Sequence, residues 1–273
     1  MSVLNAVIAR CFDLFFAPFA HTNLWVGLVV VSALSGAILL LIFRYTSNQH
    51  GLRAAKDRIV GDLLEVVLYR DELRVVLRAQ LSVARDNLRY LGYALLPLAF
   101  MVLPAGVLLL QIDLRYGRRP VNVGERVIVS VRLTPDAGLL DAVSLTAPPG
   151  VQIDSPALRI QSDREVDWRV VASTPGRYDL RIQAAGKQFT KTLVVGQRGE
   201  PIEDERVQPG LWRQFVHPGE APLPAGGPVH SIRVAYAAGS LPLLRWRLSW
   251  IWPWLVLSMA FGYALRGPLR VQI

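Results

Sequence analysis

Twenty consecutive residues without a charge, Leu24 to Phe43, constrain this chain more than any other feature. At about 1.5 Å of rise per residue, a helix of that length covers roughly 30 Å, the hydrocarbon thickness of a bilayer. Two more uncharged runs follow, Leu91 to Ile112 and the shorter Leu248 to Leu265. The second carries Pro97 and Pro104, which neighbouring helices accommodate inside a membrane bundle. Aromatic residues mark the ends where interfaces should fall: Trp25 and Tyr45, Tyr90 and Tyr116, and Trp246 and Trp250 with Tyr263. A hydrophobic content of 52% over 273 residues agrees, being too apolar for an ordinary soluble chain. The expected fold class is therefore membrane α-helical, with three transmembrane helices at 24–43, 91–112 and 248–265.

The first 22 residues are apolar but do not read as a signal peptide. Arg10 lies mid-segment, Asp13 interrupts the apolar stretch, and no small-residue cleavage pattern follows. An interfacial amphipathic helix fits better, with Leu4, Ile8, Phe12, Phe15 and Phe16 toward lipid. Orientation follows from the basic residues. Arg44 to Tyr90 holds nine of them in 47 positions, and Arg266 and Arg270 follow the last run. The positive-inside rule makes that side cytoplasmic, with the amino terminus outside, in a bacterial inner membrane. Arg115, Arg118, Arg119, Arg245 and Arg247 oppose this assignment, but they flank a 135-residue segment of the kind that translocates largely regardless of charge.

From Gln49 to Arg89 there is no proline, and apolar residues recur at helical spacing: Leu52, Ala55, Ile59, Leu63 and Val66, then Leu73, Leu77, Leu81, Ala84 and Leu88. One straight helix of about 60 Å could not return to the membrane beside its start. Residues 44–90 are thus expected as a cytoplasmic antiparallel hairpin, or coiled coil, turning near Tyr69 to Glu72. Its basic faces carry Arg53, Lys56, Arg58, Arg70, Arg74, Arg78 and Arg85. They suit either a solvated linker or a docking arm for ribosomal RNA, an acidic partner or anionic headgroups. No aromatic residues interleave with this basic patch, which argues against sequence-specific nucleic-acid recognition.

The period then changes to two. Val127, Val129, Val131 and Leu133 fall on one strand face, and Val166, Trp168, Val170 and Ala172 on another. Six or seven short strands within 118–196 describe an exported all-β sandwich of immunoglobulin-like type, inserted between the second and third runs. Residues 197–247 are rich in proline and glycine and read as a tether with one further strand at 230–237, and 266–273 as a cytoplasmic tail.

Chemistry is sparse in this sequence. Enzyme signatures of the serine-elbow, zincin, phosphate-loop and CxxC types are missing, and Cys11 is the single cysteine. His21, His50, His217 and His230 are scattered over both predicted sides, so no three converge on one metal. Asp163, Glu165 and Asp167 share a strand face but lack a ligand loop and read as a solvated face, not a calcium site. No enzyme activity, metal or cofactor is expected. Within the runs, Ser32, Ser35, Gly36 and Gln111 are the candidate lining of a mildly polar groove for a client segment, with close helix packing through the Ser32–Gly36 pair as the plain alternative.

The stretch LWVGLVVVSALSGAILLLIFRYTSNQHGLRAAKDR, running on into DLLEVVLYRDELRVVLRAQLSVARDNLRYL, resembles the core of the YidC/Oxa family of membrane insertases. In that family a span leads into a basic, glutamine-containing helix start and a cytoplasmic coiled coil, as Gln49 to Arg58 does here. The groove arginine of its bacterial members has no counterpart within 24–43, Arg44 lying at the end of that run. The resemblance implies a non-enzymatic scaffold for membrane protein insertion or assembly, with nascent membrane proteins or the ribosome as partners besides the anionic bilayer. The alternative from the residues alone is a membrane-anchored binding or structural module whose sandwich recognises an envelope protein.

Overall fold

A computed structural model describes residues 2–19, 23–48, 51, 54, 57–61, 64, 73–135, 140–196, 199–243, 246–269 and 271. The chain divides into two compact units. A β unit comprises Met1–Gly27 with Leu109–Trp252, and a helical unit comprises Leu28–Leu108 with Pro253–Ile273.

Helix α1 (Ser2–Phe16) opens the chain, followed by α2 (Leu24–Thr46) and the 44-residue α3 (Leu73–Tyr116). Two helical stretches, Leu24–Thr46 and Gln80–Tyr116, are long and apolar enough to cross a membrane. The expected third span is shorter as a helix. Its first residue, Leu248, ends a strand, and the helix covers only 15 residues, Ile251–Leu265. That is about 22 Å, short of the 30 Å of hydrocarbon. Leu95, Leu96, Leu98, Phe100, Val102 and Leu103 on α3 are all at least half exposed, so much of its apolar surface has no protein against it.

Two antiparallel sheets enclose the core of the β unit. In the larger, β1 (Arg126–Leu133) pairs with β5 (Glu165–Ala172) on one side and β9 (Val229–Val234) on the other. Further out, β8 (Glu205–Val207) pairs with β9, while β3 (Val151–Ile153) and β4 (Leu158–Ile160) both pair with β5. The smaller sheet runs β2 (Ser144–Thr146), β6 (Gly176–Ala184) and β7 (Lys187–Val195). Its long hairpin turns on Ala185 and Gly186, both at positive φ, the two-residue geometry whose twist matches paired strands. The sheets share one core in which Val129, Val131, Val166, Leu180, Ile182 and Leu193 are almost wholly buried. Alternation in β1 and β5 thus puts its apolar face inward, as a half-buried strand must.

The 197–247 segment is more than a tether. β9 lies inside the large sheet, and Ile202, Val207 and Leu223 are buried beside it. Helix α4 (Leu211–Val216) and the strand pair β10 (Leu241–Leu243) and β11 (Trp246–Leu248) complete the segment, before α5 (Ile251–Leu265). In the amino-terminal helix one residue expected toward lipid lies elsewhere. Phe16 is 6% exposed and its ring lies 6.2 Å from that of Tyr116, so it packs on protein, not outward.

Candidate functional site

The candidate groove residues belong to different surroundings. Ser32 and Ser35 are fully buried in the helical unit. The Ser32 hydroxyl donates to the Leu28 carbonyl of its own helix at 2.6 Å, and the Ser35 hydroxyl accepts from the Trp254 indole N–H at 3.3 Å. A methyl group on Gly36 would lie 2.4 Å from the Ser258 carbonyl oxygen, so α2 and α5 meet backbone to backbone there. The small residue at 36 thus serves close helix packing. Gln111 is part of the β unit, buried to 3%, and its side-chain oxygen has no hydrogen-bond partner.

The basic arm begins at a cap. Thr46 ends α2, and the Asn48 side chain then accepts the Gly51 backbone N–H at 2.9 Å, as an N-cap does for the third residue of a new helix. Residues 57–61 are helical. Arg58 Nε lies 3.6 Å from Asp86 Oδ1, and Arg89 donates to the same oxygen at 3.0 Å. Asp86 is 1% exposed between these two arginines, whereas each arginine is half exposed. A methyl group on Gly51 would come within 3.1 Å of the Tyr93 ring. The contacts 58 to 86 and 51 to 93 share a midpoint at position 72, which is the register of an antiparallel helix pair. Among the docking candidates, Arg58 and Arg85 are exposed. Arg53, Lys56 and Arg70 lie outside the described residues, and Arg74 and Arg78 fall on α3 with their side chains outside them.

A polar cluster that the sequence did not reveal lies in the β unit. Lys191, on β7, is fully buried and donates to the Glu203 carbonyl oxygen and the Glu220 carboxylate, both at 2.7 Å. The Glu203 carboxylate meets His217 Nδ1 at 3.0 Å and accepts the Gly219 N–H at 2.9 Å. Burial raises the Glu203 pKa, and the bond to Glu203 raises that of His217, so the pair holds a proton more tightly than either group in water. Glu203, Asp204 and His217 bring ligand atoms within 4.8 Å of one another, the spacing of a metal site. Their bonding points elsewhere: Arg118 takes Asp204 at 3.0 Å, and Lys191 brings an ammonium to the backbone of Glu203. A cation already in place makes this a self-neutralised structural network.

No known family model matches the chain, and no curated protein matches it.

Proposed function

We propose that this is a non-enzymatic, multi-pass protein of the bacterial inner membrane, an insertase-like scaffold that assists the insertion or assembly of other membrane proteins. The amino terminus and β unit face outward, and the helical arm faces the cytoplasm. The observation that carries the reading is the register of the arm: two stretches paired antiparallel about position 72, joined to α2 and to α3. That order of parts is what the YidC/Oxa family uses. Membrane embedding is supported by the low burial of the apolar windows, 39% in Leu24–Thr46 and 22% in Gln80–Tyr116. A core helix of a soluble protein would bury most of that surface.

A second reading rests on the helix packing. Ser35 and Gly36 are occupied by Trp254 and Ser258, which leaves no groove at that point of α2. Under it the helices only anchor the chain, and an immunoglobulin-like β unit recognises an envelope protein.

Site-specific photocrosslinking in cells separates the two. A probe at Leu34, which is 44% exposed beside Ser35, captures a range of newly made membrane segments if the scaffold handles clients. Capture of one fixed partner by a probe at Lys187 on the β unit, with lipid alone captured at Leu34, would replace the first reading by the second. Reversing the exposed Arg85 to glutamate, which leaves the Arg58 and Arg89 contacts of buried Asp86 in place, adds an independent check: a docking arm loses function while the protein still folds, and a pure anchor tolerates the change.

A further inference from the structure

Four of the five arginines that oppose the topology rule, Arg115, Arg118, Arg119 and Arg247, come together around one cavity of about 140 Å³ within the β unit, and the fifth, Arg245, lies outside the described residues. The cavity opens between the first residue of α2, Leu24, and the last two of α3. Gly239 and Ser240, the start of β10 at Leu241 and Pro242, and Arg247 of β11 close it. Four guanidinium groups thus face a single lining carboxylate, Glu200.

The pairing of each arginine decides what the cavity has left to offer. Arg119 is held by both Glu125 oxygens at 2.6 and 2.7 Å, and Arg118 by Asp204 at 3.0 Å and Asp113 at 3.6 Å. These bonds fix two guanidinium planes in advance. Arg115 differs from them. Its side chain is 4% exposed, one terminal nitrogen donates to Asp13 and the other to the Gln111 carbonyl at 3.3 Å, and its Nε–H has no partner. A buried cation with an unmet donor costs free energy that an acceptor entering the cavity would recover. Arg247 is exposed and, among the described residues, has no ion-pair partner. The spare donor capacity is therefore one buried N–H and one whole guanidinium, set against one Glu200 carboxylate oxygen that also lacks a hydrogen-bond partner and has Arg177 3.9 Å away. Its volume lies below the range of about 300–1,000 Å³ usual for drug-sized ligands, and arginine forks match the oxygens of a phosphate.

We propose that this cavity binds a phosphate ester anion, with Arg247 and Arg115 as the new donors and Arg118 and Arg119 as the fixed positive frame. In the membrane reading above, the ends of α2 and α3 put it at headgroup level, and the ester is then an anionic phospholipid of the outward leaflet. That source rests on the membrane reading, whereas the cavity does not.

The test uses the full chain in detergent, with native mass spectrometry of retained phosphatidylglycerol, phosphatidylcholine and glycerol 1-phosphate. Wild-type protein retains phosphatidylglycerol about fivefold over phosphatidylcholine, the effect of one arginine near a headgroup. Arg247→Gln abolishes the preference and Arg247→Lys keeps most of it, with the fold intact because the exposed Arg247 side chain has no ion-pair partner among the described residues. Binding of glycerol 1-phosphate that is lost in Arg247→Gln, without a lipid preference, supports the site and assigns it to a soluble ester. Equal retention of all three probes, or a preference unchanged in Arg247→Gln, overturns the proposal. Carbonate extraction of cell membranes tests embedding separately: release of the protein would sink the scaffold reading while the glycerol 1-phosphate arm still judged the cavity.

Discussion

At Gly36 even one methyl group meets the Ser258 carbonyl, whereas at Gly92 on α3 it meets nothing within 4 Å. The two glycines therefore respond in opposite senses. Gly36→Val should destabilise the helical unit by about 3 kcal/mol through overpacking. Gly92→Ala should stabilise it by roughly 0.5–1 kcal/mol through helix propensity. Detergent-denaturation curves of the reconstituted protein measure both, and a neutral Gly36→Val would remove the backbone contact between α2 and α5. Lys191 is the corresponding position of the β unit. Its ammonium is wholly buried between the Glu203 carbonyl and Glu220, so Lys191→Met leaves a carboxylate unpaired and should cost about 3–5 kcal/mol. Adding Glu220→Gln removes the stranded charge and should restore part of the loss. If the double variant is no better than the single, the cost comes from packing and not from charge.

Among the elements, the arm makes the sharpest geometric statement, because an antiparallel pair has one register. With exposed Cys11 changed to serine, Arg58→Cys with Asp86→Cys should oxidise to a disulfide, and Gly51→Cys with Tyr93→Cys should do the same. The exchanged pairs, 58 with 93 and 51 with 86, are seven residues or about 10 Å out of register and should not. Gel mobility with and without reductant reads the result, and crosslinking in the exchanged pairs would sink the register. The helical period of this element was legible in the sequence because it is local, whereas the turn expected near Tyr69 to Glu72 lies outside the described residues. The faces of β1 and β5 were legible for the same reason, each needing only alternation over eight residues. What escaped is long-range. Nothing near Val229 announces that β9 will pair with β1, about a hundred residues earlier, and the prolines around it disguised buried Ile202 and Leu223 as tether. Ser35 and Gly36 were visible, but their partners Trp254 and Ser258 lie more than 200 residues away. The cavity arginines were each seen and assigned to topology, because convergence across a fold leaves no mark on spacing.

For the molecule as a whole, these local charge environments add up to a pH dependence whose sign can be worked out. Glu125 accepts two bonds from Arg119, which hold its pKa down to about 2. Its stabilisation is present above about pH 4.5, the ordinary carboxyl value, and is lost as pH falls toward 2. Glu203 and His217 act in the opposite sense. Both are raised in the folded chain, so as pH climbs above the ordinary value of each group the folded state keeps a proton that the unfolded state has released, and stability falls. His230, lowered by burial, works against this only up to about pH 6.5, where the unfolded imidazole is already neutral. Among the described residues, the descending limb above pH 6.5 therefore belongs to the Glu203–His217 pair, with Lys191, Asp204 and Glu205 as the charges around it. Unfolding of the full chain in zwitterionic nanodiscs, followed by tryptophan fluorescence, should show lower stability at pH 8 than at pH 6.5. His217→Gln retains a side chain able to hydrogen-bond Glu203 but cannot take up the proton, and should flatten that limb while leaving the acid limb of Glu125 in place. A wild-type curve that rises from pH 6.5 to 8, or a variant that keeps the full decline, would place the controlling proton outside this pair.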